Sequence, residues 1–594
     1  MTTTRAWPLR PPHCPVRRQR RAAATLIWTP LLLCLASEAW AAPPPDAGSL
    51  LREEIRRDQP PAAPFMPPTP DAVDGAKSAT DSGPKTEVSA FRVTGLSAVA
   101  ESEAQAFLAA FAGQPLSVDG LQRIAAKFEA WLRKRGLFAA RAYVPPQEIR
   151  DGVVELRVIE GRVEGIDIKR APDTRLSDDR LRAMLAGALP PGSALEEERL
   201  ERGLLLINDL PATSARAVLT PGEELGGTRV LIEAGQGAVL AGTIDMDNAG
   251  NRYTGRAELG AGIAINDAYG LGDQWSLRGL VSEGTSFVRG SYALPLGNDG
   301  WRAGVVAIES RYRLCCGDST MSALRANGEA SSLAGFVSYP LLRTRLNNLS
   351  VSANWASQKF VNRALGVTTS DIESKTLTLG LSGDRSNLLG LTGLGAYTSY
   401  SAQWVSGRIT LDGWAANKRQ DAVTAQAQGG FDKGSAQLVH LLRLSKTSAL
   451  YAALSGQVAS KNLDSSQKFV LGGPQGVRAY PTGEASGDEG WLLNLEWRRE
   501  IDRNWRVVAF LDHGEIRLHR NPWSTWNVLT PNLDNQYGLS GFGASAVWTP
   551  TANSQISATL AQRLGNNPAS DVNGNDSDGR SRSPQLWVQV SAAF

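Results

Sequence analysis

Leu586-Trp587-Val588-Gln589-Val590-Ser591-Ala592-Ala593-Phe594 ends the chain, and its reading decides the fold. Leu586, Val588, Val590, Ala592 and Phe594 alternate, so as a strand they share one face. The same texture runs back to Gln236. Leu259, Ile263 and Ile265 oppose Arg256 and Glu258. Trp275, Leu277, Gly279 and Val281 alternate with Ser276, Arg278 and Ser282. Leu377, Leu379 and Leu381 alternate with Thr376, Thr378 and Ser382, and Leu493, Leu495 and Trp497 with Asn494, Glu496 and Arg498. Period-two runs separated by Gly, Asn, Asp and Ser predict antiparallel strands with one apolar and one polar face. A soluble sandwich turns the apolar face inward; a membrane barrel turns it to lipid and its charges to a wet lumen. Alternation alone leaves both open.

Residues 236–594 suffice for ~16 strands at roughly 22 residues per strand and connection, an even number, as a closed membrane barrel requires. Upstream the periodicity changes. Residues 163–235 predict a strand at Val163–Lys169, then two helices. Ser177 starts the first, which carries Leu181, Met184 and Leu185; a capping box at Ser193-Ala194-Leu195-Glu196 opens the second, which carries Leu200, Leu204 and Ile207. Strands near Ser214–Thr220 and Thr228–Ala234 follow. Residues 87–162 read the same way: a strand over Val88–Val93, a helix over Ala100–Ala112, a helix capped by Ser117 that ends at Gly136, and strands near Phe138–Val144 and Val153–Glu160. Its second helix carries the stripe Leu121, Ile124, Phe128 and Leu132. Two successive β-α-α-β-β units of one pattern are a domain repeat.

Residues 59–86 form a linker that Pro60, Pro61, Pro64, Pro67, Pro68, Pro70 and Pro84 keep extended. Within 42–58, residues 49–58 predict a short helix, capped by Ser49, with Leu51 and Ile55 on one face and charges elsewhere. Residues 1–41 read as a signal peptide: Arg17, Arg18, Arg20 and Arg21, an apolar stretch around Leu26 to Ala36, then Ala39-Trp40-Ala41 as a cleavage site. That segment holds six of the 62 basic residues and one of the 59 acidic ones, so the remainder is net −2 and gives no reason to expect a nucleic-acid partner. Cys14 and Cys34 leave with it. Cys315 and Cys316 remain, adjacent, and read as a loop feature. His13, His440, His513 and His519 show no metal spacing. No cofactor and no metal is expected, no nucleotide-binding loop occurs, and no ordered Ser, Asp and His constellation argues for an enzyme.

Four further strings carry a resemblance. Asp247-Asn248-Ala249-Gly250-Asn251-Arg252-Tyr253-Thr254-Gly255, Tyr339-Pro340-Leu341-Leu342-Arg343-Thr344-Arg345, Gly472-Gly473-Pro474-Gln475-Gly476-Val477-Arg478-Ala479-Tyr480 and Phe510-Leu511-Asp512-His513-Gly514 occur in this order. With the terminal aromatic Phe594 they resemble the TpsB-type transporters of two-partner secretion, the haemolysin activators and the filamentous-haemagglutinin transporter. The resemblance implies a plug helix, two periplasmic POTRA domains and a 16-stranded transmembrane β-barrel in the bacterial outer membrane. It implies that the Val477-Arg478-Ala479-Tyr480 tip of a long loop folds back into the barrel. The family's usual Gly is Ala479 here. It also implies that Phe510, Asp512 and Gly514 form a strand motif whose carboxylate meets the loop arginine. Strand alternation agrees, since Leu511 on lipid puts Asp512 in the lumen, where Arg478 can bind it bidentately.

The expected function is export of a large partner exoprotein, of adhesin or haemolysin type, recognised through its N-terminal secretion domain. Outer-membrane lipid and the barrel assembly machinery, with Phe594 as the insertion terminus, are the other expected partners. Competing readings are an insertase, which usually carries three or more POTRA units, and a small-solute porin, which needs none.

Overall fold

The computed structural model describes residues 45–58, 84–317, 322–528 and 530–594. The expected signal peptide and almost all of the Pro-rich linker lie outside these residues. Helix α1 (Ala47–Asp58) starts two residues before the expected one. Asp46, not Ser49, is its cap: the Asp46 carboxylate accepts the Ser49 N–H at 2.7 Å, and the Ser49 hydroxyl accepts the Asp46 N–H at 3.0 Å. Two otherwise unpaired N-terminal donors are satisfied reciprocally.

The first small unit contains β1 (Thr86–Val88), β2 (Ala90–Thr94), α2 (Glu101–Ala109), β3 (Gln114–Leu116), α3 (Val118–Lys134), β4 (Arg141–Tyr143) and β5 (Val153–Ile159). The three-stranded sheet runs β2-β5-β4, with β2 parallel to β5. The Ser117 hydroxyl accepts the Gly120 N–H at 3.1 Å. Below that cap Leu121, Ile124, Phe128 and Leu132 bury the apolar stripe of α3 against Val154, Leu156 and Val158. The single strand expected over 88–93 is divided at Ser89, because β1 leaves to pair with β3.

The second unit contains β6 (Arg162–Arg170), α4 (Asp178–Ala186), α5 (Glu197–Asn208), β7 (Thr213–Pro221) and β8 (Gly227–Gln236). Its sheet runs β6-β8-β7 and leaves β7 as an edge. The capping box expected at Ser193 is not formed. Val163 donates to the Ser193 carbonyl at 2.9 Å and Gly192 to the Val163 carbonyl at 2.7 Å, so this stretch pairs with β6 and α5 starts only at Glu197. Sheet pairing satisfies the same backbone groups a helix start would have used.

Three residues after β8 the chain enters a closed antiparallel barrel of sixteen strands. Its first strand, Leu240–Asp247, pairs with Glu258–Asn266 and with the last strand, Gln585–Ala593. Five residue pairs make that closing seam, from Gln589↔Asp247 to Ala593↔Thr243. Phe594 extends it: its N–H and C=O bond Gly242 at 2.9 and 2.8 Å, and its ring covers the Gly242 Cα. Leu259, Leu277, Leu377, Leu379, Leu381, Leu495, Leu511 and Leu586 face outward, each at least 40 % exposed, whereas Glu258 and Asp512 face inward, at 3 % and 0 %. This inverts the usual placement of apolar and charged side chains, as expected when hydrocarbon is the outer solvent. Trp275 packs on Tyr292 and Trp301 on Tyr339 with tilted rings, and Trp505 stacks on Trp548, all at the barrel end nearer the small units, where an interfacial aromatic belt belongs. The middle strands are longer than the ~10 residues a bilayer needs: Asn347–Ala364 has 18 and Val367–Ser386 has 20.

Candidate lumen latch and plug

The expected latch residues lie inside the barrel. Phe469–Val470 and Ser486–Gly487 pair as a short antiparallel ribbon that carries the loop into the bore. Beyond it the backbone turns tightly. Val477 donates to the Leu471 carbonyl at 2.7 Å and Tyr480 to the Val477 carbonyl at 3.1 Å. Gly476 lies so close to the Leu471 carbonyl that no Cβ fits there. Ala479 does not take positive φ, so its backbone makes no demand for Gly. Its methyl group is fully buried against Gly541, where a Cβ would come within 2.6 Å of it.

Arg478 extends toward the strand Trp505–Arg517. Its Nε and Nη2 donate to the two Asp512 carboxylate oxygens at 2.9 and 2.7 Å, and its backbone N–H donates to Oδ2 at 3.0 Å. The planar guanidinium matches the carboxylate in a two-point fork. Its face lies 3.6 Å from the centre of the Phe510 ring, so alternate residues of one strand supply both the counter-charge and the stacking surface. The third motif residue, Gly514, lets the loop approach: a Cβ there would meet Leu471 at 2.6 Å.

Sequence reading missed four partners. Glu496 accepts Nη1 of Arg478 at 2.7 Å, and the Asn494 amide donates to Asp512 at 2.7 Å. The Trp587 indole N–H donates to the Arg478 carbonyl at 2.8 Å, and the Arg563 guanidinium lies 4.8 Å from the Tyr480 ring centre. Glu496 and Asn494 sit on the polar phase of their strand, which is the signal that could have marked them. Trp587 lies on the polar-phase side of the last strand, and only the folded loop explains why an indole is there.

Helix α1 lies across the bore. Ala47, Leu50 and Leu51 are buried against Phe287, Tyr312, Phe360 and Phe431, with Ile55 packed at the edge. The lumen around the helix is therefore partly apolar, and the polar lumen expected around it is a correction: the inward face carries an aromatic patch that the helix covers. The charged face of α1 meets the long loop. Arg52 donates to the Ser465 carbonyl at 2.5 Å, and Arg56 to the Val470 and Gln475 carbonyls at 3.2 and 3.0 Å. Arg57 pairs with Glu54 and with Glu258 of the barrel wall.

Cys315 and Cys316 are joined to each other in a loop at the end away from the small units. With Glu283 they are the group of potential metal ligands found among the described residues, but their sulfurs bond one another. His440 meets Thr398, His513 meets Ser540, and His519 packs on Trp523 and Trp526.

The family described as haemolysin secretion/activation protein ShlB/FhaC/HecB matches residues 226–541, and the POTRA domain of ShlB type matches 86–161. The heme/hemopexin transporter protein HuxB of Haemophilus influenzae (strain 86-028NP) is 28 % identical over 545 residues, covering 90 % of this chain and 94 % of that protein. The outer membrane transporter CdiB of Dickeya dadantii (strain 3937) is 24 % identical over 411 residues, 66 % of this chain and 70 % of that one. Among solved structures, CdiB from Escherichia coli superposes with a TM-score of 0.71 at 19 % identity, covering 93 % of this chain and all of that one. CdiB from Acinetobacter baumannii does so at 0.61 and 17 %, covering 92 % and 96 %. The barrel therefore spans the outer membrane with the POTRA units in the periplasm, and the chain belongs to the haemolysin secretion/activation family, the outer-membrane transporters of two-partner secretion.

Proposed function

We propose that this transporter holds its bore shut with α1 and the long loop together, and that a large exoprotein is exported once both give way. The observation that carries this reading is the seating of α1: one face covers an aromatic patch of the lumen, and the other donates to backbone carbonyls of the loop that Arg478 ties to Asp512. A helix held by so many separate contacts closes the pore until those contacts give way. The exoprotein arrives unfolded in the periplasm, and its N-terminal secretion domain adds a strand to a POTRA edge. It then threads the bore and folds outside, and that folding supplies the drive. The chain works by transport and not by catalysis. Its terminal Phe594, seated on the closing seam, is read by the barrel assembly machinery, and lipid covers the outward Leu rows.

The test is reconstitution of the mature protein in planar bilayers. Deleting 45–58 raises the mean open conductance several-fold, and deleting 87–235 abolishes export from cells while leaving a folded barrel. Unchanged conductance in the first variant removes the plug reading; continued export in the second removes the POTRA reading.

A further inference from the structure

The string Tyr339–Arg345 takes no part in the bore. It ends the strand Asn327–Arg343 at the periplasmic mouth. We infer that it is a docking plate, which holds the second POTRA unit at one fixed angle beneath the barrel.

The plate is built by an interruption of the sheet. Tyr339 pairs with Val351 and Pro340 with Ser350, but Leu342 then pairs with Leu349, a bulge in the ladder. Bulges re-aim side chains at barrel rims. Tyr339 stays on the outer face, 4.7 Å from Trp301 in the interfacial belt. Arg343 is turned down onto the second POTRA unit.

The contacts cross in both directions. Arg343 grips Asp209, at the end of α5, through Nε at 2.8 Å and Nη2 at 2.6 Å, while its Nη1 is held by Asn348 at 2.9 Å. Arg345 pairs with Glu201 of α5 at 2.9 Å. In return Arg202 of α5 donates to the Pro340 carbonyl at 2.9 Å. A neighbouring turn closes the gap: at Gly300, with φ of +95°, a Cβ would lie 2.7 Å from Leu206 of α5 and 2.8 Å from Pro340. Arg180 of α4 adds two bonds to that same turn, at 2.8 Å each, to Asn298 and the Gly297 carbonyl.

One exposed ion pair contributes little, and Asp209 is 42 % exposed at its side chain. Orientation is another matter. Three points along one helix, given by Glu201, Arg202 and Asp209, fix rotation about the short connection between β8 and the barrel. Arg343 is a planar fork pre-held by Asn348, so it specifies direction as well as charge. The outer edge of β7, occupied by Asn208 at Ala215, then points at one place on the mouth. That last consequence rests on strand addition at a POTRA edge; the docking itself does not.

The test measures the angle and needs no exoprotein. Spin labels are placed on cysteines at Glu223, in the turn between β7 and β8, and at Asn504, in a periplasmic turn of the barrel, in the full mature chain in nanodiscs. The distance distribution is expected to be narrow and single. Arg343→Asp broadens it at least twofold, Arg343→Asp with Asp209→Arg narrows it again, and Arg343→Lys falls between. Asp209→Asn lies outside the barrel and leaves barrel folding alone, so it reports even where Arg343→Asp does not fold. Asp209→Asn is expected to broaden it as well; a distribution as narrow as wild type in Asp209→Asn, or in the single reversal where that barrel folds, overturns the inference, as does failure of the double reversal to restore it in a folded barrel.

Discussion

Replacing Arg478 by Ala isolates the latch. Asp512 has a fully buried side chain and Arg478 one that is 11 % exposed, so the solvent screening that weakens surface pairs is largely absent. The substitution removes a two-point charge-assisted contact, the bond to Glu496 and the stack on Phe510. It leaves Asp512 with the Asn494 amide and one backbone N–H. Breaking a buried pair by removing one partner costs about 3–5 kcal/mol. At ~1.4 kcal/mol per tenfold, the docked-to-released equilibrium of the loop shifts by roughly two to four orders of magnitude. Hydrogen exchange reads this directly. The Val477 and Tyr480 amides are bonded within the loop, and their exchange should accelerate by roughly 10²-fold or more if they open with it. Glu496→Gln keeps the fork and should accelerate exchange by only ~10-fold, as loss of one charge-assisted bond implies. Exchange in Arg478→Ala within about threefold of wild type, in a folded barrel, would falsify the latch.

Ser117→Ala removes the cap of α3 and should lower the stability of the fragment 86–236 by ~1 kcal/mol in urea melts, since the cap bond lies among buried residues. Glu160 joins the two POTRA units: burial opposes its charge, but the N–H groups of Ser97 and Ala98, the Ser97 hydroxyl and Arg162 together hold its carboxyl below the ordinary value of 4.5. The folded state therefore binds this proton less readily than the unfolded one. The associated stability is present above that ordinary value and lost as pH falls through the lower folded value, so the urea midpoint of Glu160→Gln should be less acid-sensitive below about pH 4.5. Leu51→Asp puts a carboxylate among Phe287, Phe360 and Phe431; it should unseat α1 and raise bilayer conductance toward that of the 45–58 deletion. Gly242→Val meets the Phe594 ring at the closing seam, and should lower the temperature at which the barrel loses its compact migration on an unheated gel.

The sequence by itself determined whatever depends on periodicity and on short-range chemistry. Alternation at Leu377, Leu379 and Leu381, or at Leu586, Val588 and Val590, fixes which side chains share a face, because a strand repeats every two residues wherever it lies. The 3.6-residue stripe of Leu121, Ile124, Phe128 and Leu132 likewise marks the buried side of α3. Arg478 and Asp512 were legible as a pair through motif resemblance joined to strand phase. Glu496, Asn494 and Trp587 were not, because their convergence on one arginine depends on how a loop folds between strands that are distant in sequence. The failed cap at Ser193 has the same origin: a local helix start and a strand of the same unit compete for one set of backbone groups, and the sheet prevails. Nor could charge and hydropathy show that Leu50 and Leu51 cover an aromatic patch within the bore, or that Arg343 and Arg345 turn onto α5 while their neighbours remain on the outer face. Those placements depend on barrel closure, on one bulge and on where a second domain comes to rest, and tertiary contact alone decides them.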